Sequence, residues 1–297
     1  MSDKSTKSYI EDSLITGFNE LKFAITEPLK LRVARLKHAH KYQDPNQTPL
    51  VSVCVPTYNR GSILIERAVT DVLAQTYKNL ELVIVGDHCT DNTAELIADI
   101  KDSRVRFHNL PTRDRKYPQT IENHWFVGGA IPGNKAMQIA RGDWIARIDD
   151  DDNWTPDHIE KLLRFAQQGQ FEFVSGLYVV ERNGKHEVVD VIRAEDPHYT
   201  RKELNLNDDS PKIGGVQTWL YRTYLRCMPY NPECWRKEWN KVWDVDLSLR
   251  IYKAGTRIGF LDDVVAKVQP RPGESFVGLE AYKRTEKEKL DQYKFTD

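Results

Sequence analysis

No run of about 18 apolar residues occurs anywhere in the chain, so no segment reads as a membrane-spanning helix. Cysteine is scarce. The four present (Cys54, Cys89, Cys227 and Cys234) form no C-x-x-C pair and no zinc-like spacing. That usage excludes a disulfide scaffold and reads as reduced thiols in a cytosolic protein. An excess of one charge is also missing: 43 Lys and Arg face 44 Asp and Glu, for a net charge of −1. A basic footprint for nucleic acid is therefore absent, and no nucleic-acid partner is expected. The opening MSDKSTKSYIEDS lacks the apolar core of a secretory leader. Internal repeats and low-complexity tracts are lacking too. What remains is an ordinary globular composition, 29% charged and 40% hydrophobic over 297 residues.

The first 48 residues read as a helical arm. Ile10, Leu14, Phe18, Leu21 and Ile25 recur at helical spacing. Pro28 is expected to break or kink this helix. Leu29, Val33 and Leu36 then continue the stripe among Lys30, Arg32, Arg35, Lys37 and Lys41, with no acid between Pro28 and Gln43. A basic amphipathic helix over 28–43 fits peripheral contact with an anionic membrane surface. It equally fits a helix packed on the main domain with its basic face solvated. The hexapeptide 44–49 reads as a linker.

From Leu50 onward strands and helices alternate. Strands are expected at 50–56, 80–86, 104–110 and 143–148, with helices at 62–76, 90–100 and 134–142 and a long polar insertion at 111–132. Continuous apolar strands alternating with helices imply a parallel sheet covered on both faces. Ligands of such sheets bind beyond the carboxyl ends of the strands. Further on, a helix is expected at 156–168 and a strand at 171–182 turning into a hairpin at Asn183-Gly184. A helix at 242–255, one or two strands at 257–270 and a charged helix at 278–294 complete the pattern.

The densest chemistry lies in RGDWIARIDDDDNWTPD (141–157). Four consecutive aspartates, Asp149 to Asp152, repel one another unless something neutralises them. A hard divalent cation with oxygen ligands would do so. Asp149, Asp151, Asn153 and Glu160 also resemble part of a calcium-binding EF-hand loop, but Trp154 stands where that loop needs glycine and Pro156 fits it poorly.

Four pieces in order, PTYNR (56–60), VGDHCTDNT (85–93), Asn134 before ARGDWIARIDDDD (140–152), and WDVDLSLR (243–250), resemble a family 2 glycosyltransferase over roughly residues 50–255. The resemblance implies a GT-A fold: a Rossmann-like, mostly parallel α/β sheet flanked by helices. It also implies a nucleotide-diphosphate sugar donor, inversion at the transferred carbon, and Mn²⁺ or Mg²⁺. Asp149-Asp150-Asp151 matches the D-x-D motif. Asp151 would bind metal, and Asp149 would approach the ribose or a metal-bound water; Asp150 offers a second register.

Asp87 matches the family's base-reading aspartate, with Gly86 in place of the aspartate that usually precedes it. Such a carboxylate accepts the N3–H of uracil or thymine. As a plain residue it would cap a helix or a turn. Pro56, Thr57, Tyr58 and Arg60 would complete donor binding, with Tyr58 stacking on the base and Arg60 either reaching phosphate or lying solvated. Asn134 matches the family's A-R-N-x-G asparagine, with Gly133 where the family has arginine; Arg113, Arg115 and Lys116 are candidates to compensate. Asp244 matches the catalytic base, with Trp243 replacing a glutamate. Asp246 points about 200° away on the same helix and suits an ion pair with Arg250. Trp219, Tyr221, Trp235, Trp239 and Trp243 could form an acceptor platform or ordinary core. Residues 269–275 could form a lid carrying Arg271, or a plain turn.

The expected protein is thus an arm (1–48) followed by a glycosyltransferase domain (49–297), divided into a nucleotide-sugar half (49–155) and an acceptor half (156–297). The expected reaction moves a sugar from a UDP- or dTDP-sugar to a hydroxyl of a glycan or lipid-linked saccharide. The expected place is the cytoplasm, or the inner face of the membrane. A nucleotidyltransferase is the alternative enzyme, but PTYNRGS lacks the glycine-rich basic loop that it needs. A non-catalytic sugar-nucleotide-binding protein is the other alternative.

Overall fold

The computed structural model describes residues 3–44, 47–113, 115–189, 212–236, 239 and 241–278. The charged helix expected beyond Gly278 lies outside the described residues, as does 190–211. Helix α1 (Asp3–His38) leads through a 3₁₀ turn into β1 (Val51–Thr57). Helix α2 (Gly61–Leu64) passes through a π turn (Ile65–Val69) into α3 (Thr70–Ala74). Then come β2 (Leu80–Gly86), α4 (Thr93–Ala98), β3 (Val105–Asn109), α5 (Ile121–Val127), α6 (Ala130–Ile139) and β4 (Trp144–Arg147). The remainder is β5 (Asp152–Trp154), α7 (His158–Gln168), β6 (Phe173–Arg182), β7 (Lys185–Val189), β8 (Leu220–Arg222), α8 (Trp243–Lys253) and β9 (Ile258–Val268).

Among the described residues nine strands join one sheet in the order β3-β2-β1-β4-β8-β6-β9-β5, with β7 paired to β6. Strands β1 to β4 are mutually parallel, and every residue of β1 and β2 is buried. This is what their unbroken apolar runs require. The second half mixes directions: β8 runs antiparallel to β4 and β6, while β9 runs parallel to β6 and antiparallel to β5. The hairpin expected at Asn183-Gly184 is present, with φ of 51° and 73° at the two turn residues. The short strands β5 and β8 and helix α5 were not anticipated. They are three to seven residues long, and periodicity cannot mark so few.

The chain adds β2 and β3 on one side of β1 and then returns to place β4 on the other. This reversal opens a crevice beyond the carboxyl ends of β1 and β4, the usual ligand position in such sheets.

Pro28 does not break α1. A mid-helix proline costs about 3 kcal/mol or more, but both sides of it are anchored. Glu27 pairs with Arg250, Phe23 packs edge-on against Trp239 at 6.0 Å, and Leu31 is fully buried. Arg35 Nε donates to Glu172 at 2.6 Å, and Asp12 pairs with Arg236. The outcome for the expected stripe is a reversal. Ile10, Leu14, Phe18, Leu21, Ile25, Leu29, Val33 and Leu36 point outward and are 50–80% exposed. Among the described residues no helix is long and apolar enough to cross a membrane.

Candidate active site

The end of β1 delivers Thr57 into the crevice. Its hydroxyl donates to Asp150 Oδ2 at 2.7 Å, and Arg60 Nη1 donates to Asp150 Oδ1 and Asp151 Oδ2, each at 3.1 Å. Arg60 therefore lies against the aspartate run rather than in solvent. Burial, followed by the charge of Asp151, pushes Asp150 up to about 6 against the pull of Arg60. Burial also acts on Asp151, but Arg60, Arg271 and Arg67 outweigh it and hold that carboxyl below its usual range. Asp152 belongs to β5 and is 5% exposed. Burial and the charges of Asp151 and Asp149 raise it well above an ordinary carboxylate.

Asp149 is neutralised from below. Arg147, fully buried on β4, donates through Nη2 to Asp149 Oδ1 at 2.7 Å. The same guanidinium lies 5.3 Å from the ring centre of Trp243, the first residue of α8. The next residue is Asp244, whose Oδ1 accepts the Val245 N–H at 2.9 Å. Burial and the charge of Asp149 push Asp244 up to about 6. Arg147 thus connects the aspartate run to Asp244 across almost a hundred residues of sequence.

Asp87 is 2% exposed at the end of β2. Arg113 Nε donates to its Oδ2 at 2.9 Å, and Arg115 donates to Oδ1. The Arg113 guanidinium also sits 3.7 Å over the Tyr58 ring. The basic residues of the polar insertion therefore fold onto the expected base-binding pair. His124 on α5 lies beside Arg113, and burial plus the nearby arginine charges lower it to about 3. Asn59, at a φ of 50°, accepts the Thr90 N–H at 2.8 Å and ties the turn after β1 to the turn after β2.

Other expected residues are placed differently. Pro56 is buried within β1. The Asn134 side chain exchanges two hydrogen bonds with the Tyr230 backbone, at 2.9 and 2.8 Å, so its amide positions the 230 segment. Asp246 is buried, accepts from Trp239 Nε1 and Arg250 Nε at 2.8 Å each, and faces away from the crevice as its helical position implies. Trp219, Tyr221, Trp239 and Trp243 are core residues, not an open platform; Trp235 is only partly buried. The calcium-loop alternative fails because Asn153 and Trp154 pair with β9 as a strand, and the Trp154 indole donates to Gln217 O at 2.7 Å. All four cysteines are free thiols.

The departures from the expected motifs have steric causes. A side chain at Gly86 would place its Cβ 2.5 Å from Asn109 Oδ1. That amide is already holding Cys89 N and O, at 2.8 and 2.9 Å. At Gly133 a Cβ would meet the Tyr230 ring at 3.0 Å, and at Gly129 the Trp243 ring at 2.6 Å. Tyr230 and Trp243 themselves pack edge to face at 4.6 Å. The aromatic pair thus fills the space that side chains at 129 and 133 would need.

The model of Glycosyl transferase family 2 matches residues 52–228, more than half of the chain. The chain belongs to glycosyltransferase family 2. Curated relatives include the Escherichia coli UDP-Glc:alpha-D-GlcNAc-diphosphoundecaprenol beta-1,3-glucosyltransferase WfaP, 34% identical over 134 residues (45% of this chain, 48% of the relative). The glycosyltransferase GlyG of Streptococcus pneumoniae serotype 4 is 33% identical over 131 residues (43% of this chain, 39% of the relative). The matched part of the chain spans about half or less of the length of these relatives. S. aureus TarS 1-349 in complex with UDP-GlcNAc superposes with a TM-score of 0.55 at 19% identity, covering 82% of this chain and 63% of the other. The Pyrobaculum calidifontis mannosyltransferase PcManGT, in complex with GDP-Man and Mn2+, gives 0.53 at 18% identity (85% and 69%). Both likenesses establish the GT-A-like fold.

Two residues of this glycosyltransferase escaped the sequence reading. Arg147 was readable only as a lone cation inside the apolar strand WIARI. Arg67 donates to the backbone carbonyls of Asp151, Gln269 and Pro270 at 2.6, 3.2 and 2.9 Å, binding the aspartate loop to the 269–275 loop. From that second loop Arg271 Nε comes within 3.7 Å of Asp151 Oδ2. No local signal in the sequence marks Arg67. Among the described residues no group of three or more His, Cys, Asp or Glu forms a ready metal cage. The donor set nevertheless suits a hard cation. The polar contacts of Asp149 described here fall on Oδ1 and those of Asp151 on Oδ2, and the two side chains are 35% and 24% exposed at the crevice mouth. Magnesium-type sites commonly use one or two carboxylates, with substrate phosphates and water supplying the rest.

Proposed function

We propose that this family 2 enzyme is a metal-dependent inverting transferase that moves a sugar from a UDP- or dTDP-sugar to a hydroxyl of a glycan or lipid-linked saccharide. One observation carries the reading: Arg147 joins Asp149, at the mouth of the D-x-D run, to the helix start that bears Asp244. The relatives support the substrate class, since WfaP is named for UDP-Glc and a diphosphoundecaprenol-linked acceptor.

The roles follow from position. Asp244 takes the proton of the acceptor hydroxyl as its oxygen attacks the sugar from the side opposite the nucleotide. Its elevated proton affinity suits a base working near neutrality. Asp149 and Asp151 would hold Mn²⁺ or Mg²⁺, which would supply Lewis-acid stabilisation of the diphosphate leaving group. Arg60 and Arg271 add fixed positive charge beside Asp151. Thr57 and Arg60 hold Asp150 and so set the conformation of the run. Asp87 and Tyr58 read the base, which requires Arg113 to leave the Tyr58 ring as the donor enters.

The deciding measurement is donor turnover with and without Mn²⁺. Metal-stimulated release of UDP from a UDP-sugar supports the proposal. No hydrolysis and no transfer with any donor would leave a binding protein. With Mn²⁺ present, UDP should also raise the melting temperature more than GDP does, because only a ligand that binds the folded state stabilises it. Equal shifts would remove the base-reading role of Asp87.

Asp151→Ala should lower metal-dependent turnover by about a hundredfold or more. Asp152→Asn should stay within about threefold of the parent, because this carboxyl is buried in β5, away from the crevice mouth, and burial raises its proton affinity well above an ordinary carboxylate's. Equal losses would shift the metal register within the run.

A further inference from the structure

We infer that the outer face of α1 is a membrane-docking surface for anionic lipid, and that it seats the acceptor half of the enzyme on the bilayer. The stripe from Ile10 to Leu36 leaves roughly 900 Å² of apolar surface uncovered, about twice the largest patch on an ordinary monomer. It runs about 39 Å along the helix. The helix itself is already fixed. Its opposite face, through Phe23, Glu27, Leu31 and Ala34, is packed on the domain. The outward apolar face is therefore surplus to folding.

Its geometry and charge favour a flat anionic surface over a second copy of the chain. Leu14, Ile25 and Leu36 recur every eleven residues, as do the pairs Ile10–Leu21 and Phe18–Leu29. Eleven residues make close to three turns, so the stripe stays straight and can lie along a plane. A left-handed coiled coil would need a heptad seam instead. Extending such a seam from Leu14, Phe18, Leu21 and Ile25 lands on Pro28, Arg32 and Arg35. The first half of the stripe carries Glu11, Asp12 (paired with Arg236) and Glu20, so the basic part is the second half: from Leu21 to Tyr42 the only acid is Glu27, which is buried and paired with Arg250. Lys22, Lys30, Arg32, Lys37 and Lys41 are exposed there. Lys41 pairs with Asp143 at 3.2 Å, and the other four lie beside the apolar stripe. Exposed apolar side chains beside exposed cations are the pattern of helices that lie in the lipid interface, with basic heads reaching the phosphates.

The docked helix would also be coupled to the site. Glu27 holds Arg250 on α8, and α8 begins with Trp243 and Asp244. The function of such seating, though not the docking itself, rests on the proposed transfer to a lipid-linked acceptor: the base would be held near the plane in which that acceptor's lipid is embedded.

The test is co-sedimentation of the full chain with vesicles of phosphatidylglycerol and phosphatidylcholine in equal parts, and with phosphatidylcholine alone. The expected result is capture by the mixed vesicles and at least tenfold weaker capture by the neutral ones. The triple variant Phe18→Gln, Leu21→Gln, Ile25→Gln should lose at least tenfold of the binding. Its far-ultraviolet spectrum and melting curve should match the parent, since the replaced side chains point into solvent. Lys30→Gln with Arg32→Gln and Lys37→Gln should lose binding to the anionic vesicles while leaving the apolar stripe intact. Failure of the parent to bind mixed vesicles overturns the inference, as does equal binding to neutral ones. A parent that is dimeric by light scattering and becomes monomeric in the triple variant, with vesicle binding unchanged, assigns the stripe to a second copy instead. No donor or acceptor is present in these assays, so their outcome is independent of whether turnover is found.

Discussion

Asp244→Asn is expected to reduce transfer about a thousandfold while leaving the fold and donor binding intact. General-base catalysis contributes on the order of 10²–10⁴, and no described neighbour offers a second carboxylate on the same face of α8. Asp246, two residues on, is committed to Trp239 and Arg250. Asparagine preserves the shape and can still accept the Val245 N–H, so a loss of activity would not reflect a loss of the helix start. The parent should also show a distinctive pH profile. The base works as the carboxylate, and Asp244 is pushed up to about 6. kcat/KM should therefore rise with pH, with unit slope below about 6, and level off above it. Initial rates across pH 4.5–8 check this (roughly, bracketing that value). Activity of the variant within threefold of the parent, or a flat profile, would place the base elsewhere.

Arg250→Leu is expected to be the most destabilising single change, by about 3–5 kcal/mol, because it leaves two buried carboxylates without their cation. Arg250 pairs with Glu27 from α1 and Asp246 from its own helix, and donates to Pro229 O at 2.6 Å. All three ionic side chains are at most 7% exposed. Burial already raises Glu27 and Asp246 above their usual values, and the arginine opposes it. Without the arginine both should rise further. A carboxyl whose folded pKa exceeds its unfolded one binds its proton more readily in the folded state. The variant should therefore regain part of its stability as pH falls from neutrality toward the unfolded carboxyl range near 4. Urea unfolding at pH 7 and pH 5 tests both the loss and its partial recovery. A loss of under 1 kcal/mol would show that α1 is not held through this triad.

The parallel half of the fold was legible because its strands are unbroken apolar runs whose ends carry the polar residues. Thr57, Asp87 and Asp149 to Asp151 could be assigned to one sheet edge on that ground alone. Asp246 was legible as a partner of Arg250 because helical spacing dictates it. What escaped was set by contacts between distant segments. Arg67 acts through three backbone carbonyls, two of them some two hundred residues away, and no spacing rule reports that. Arg113 and Arg115 read only as candidates to replace a lost donor contact, and nothing in their spacing shows that they close on Asp87. The course of α1 through Pro28 escaped for a similar reason: local propensity favoured a break, whereas the anchors on either side are Glu172 and residues 236–250, all distant in sequence. The exposed stripe inverted the usual inference from amphipathicity, because the face that packs inward is the one carrying Glu27, Leu31 and Ala34.

The packing of Tyr230 and Trp243 over Gly133 and Gly129 constrains how this site can be altered. An arginine at 133 would bring its Cβ to 3.0 Å from the Tyr230 ring, which must give way slightly, and Tyr230 is also the residue whose backbone Asn134 holds. Any side chain at 129 must displace Trp243, which carries Asp244 beside it and stacks with Arg147. Exchange at 129 is tied to Trp243, and exchange at 133 presses on Tyr230. The effects of changes at these positions are therefore non-additive, and an order of substitution that begins at the glycines passes through a damaged enzyme, whereas one that trims the aromatics first opens the room that they need.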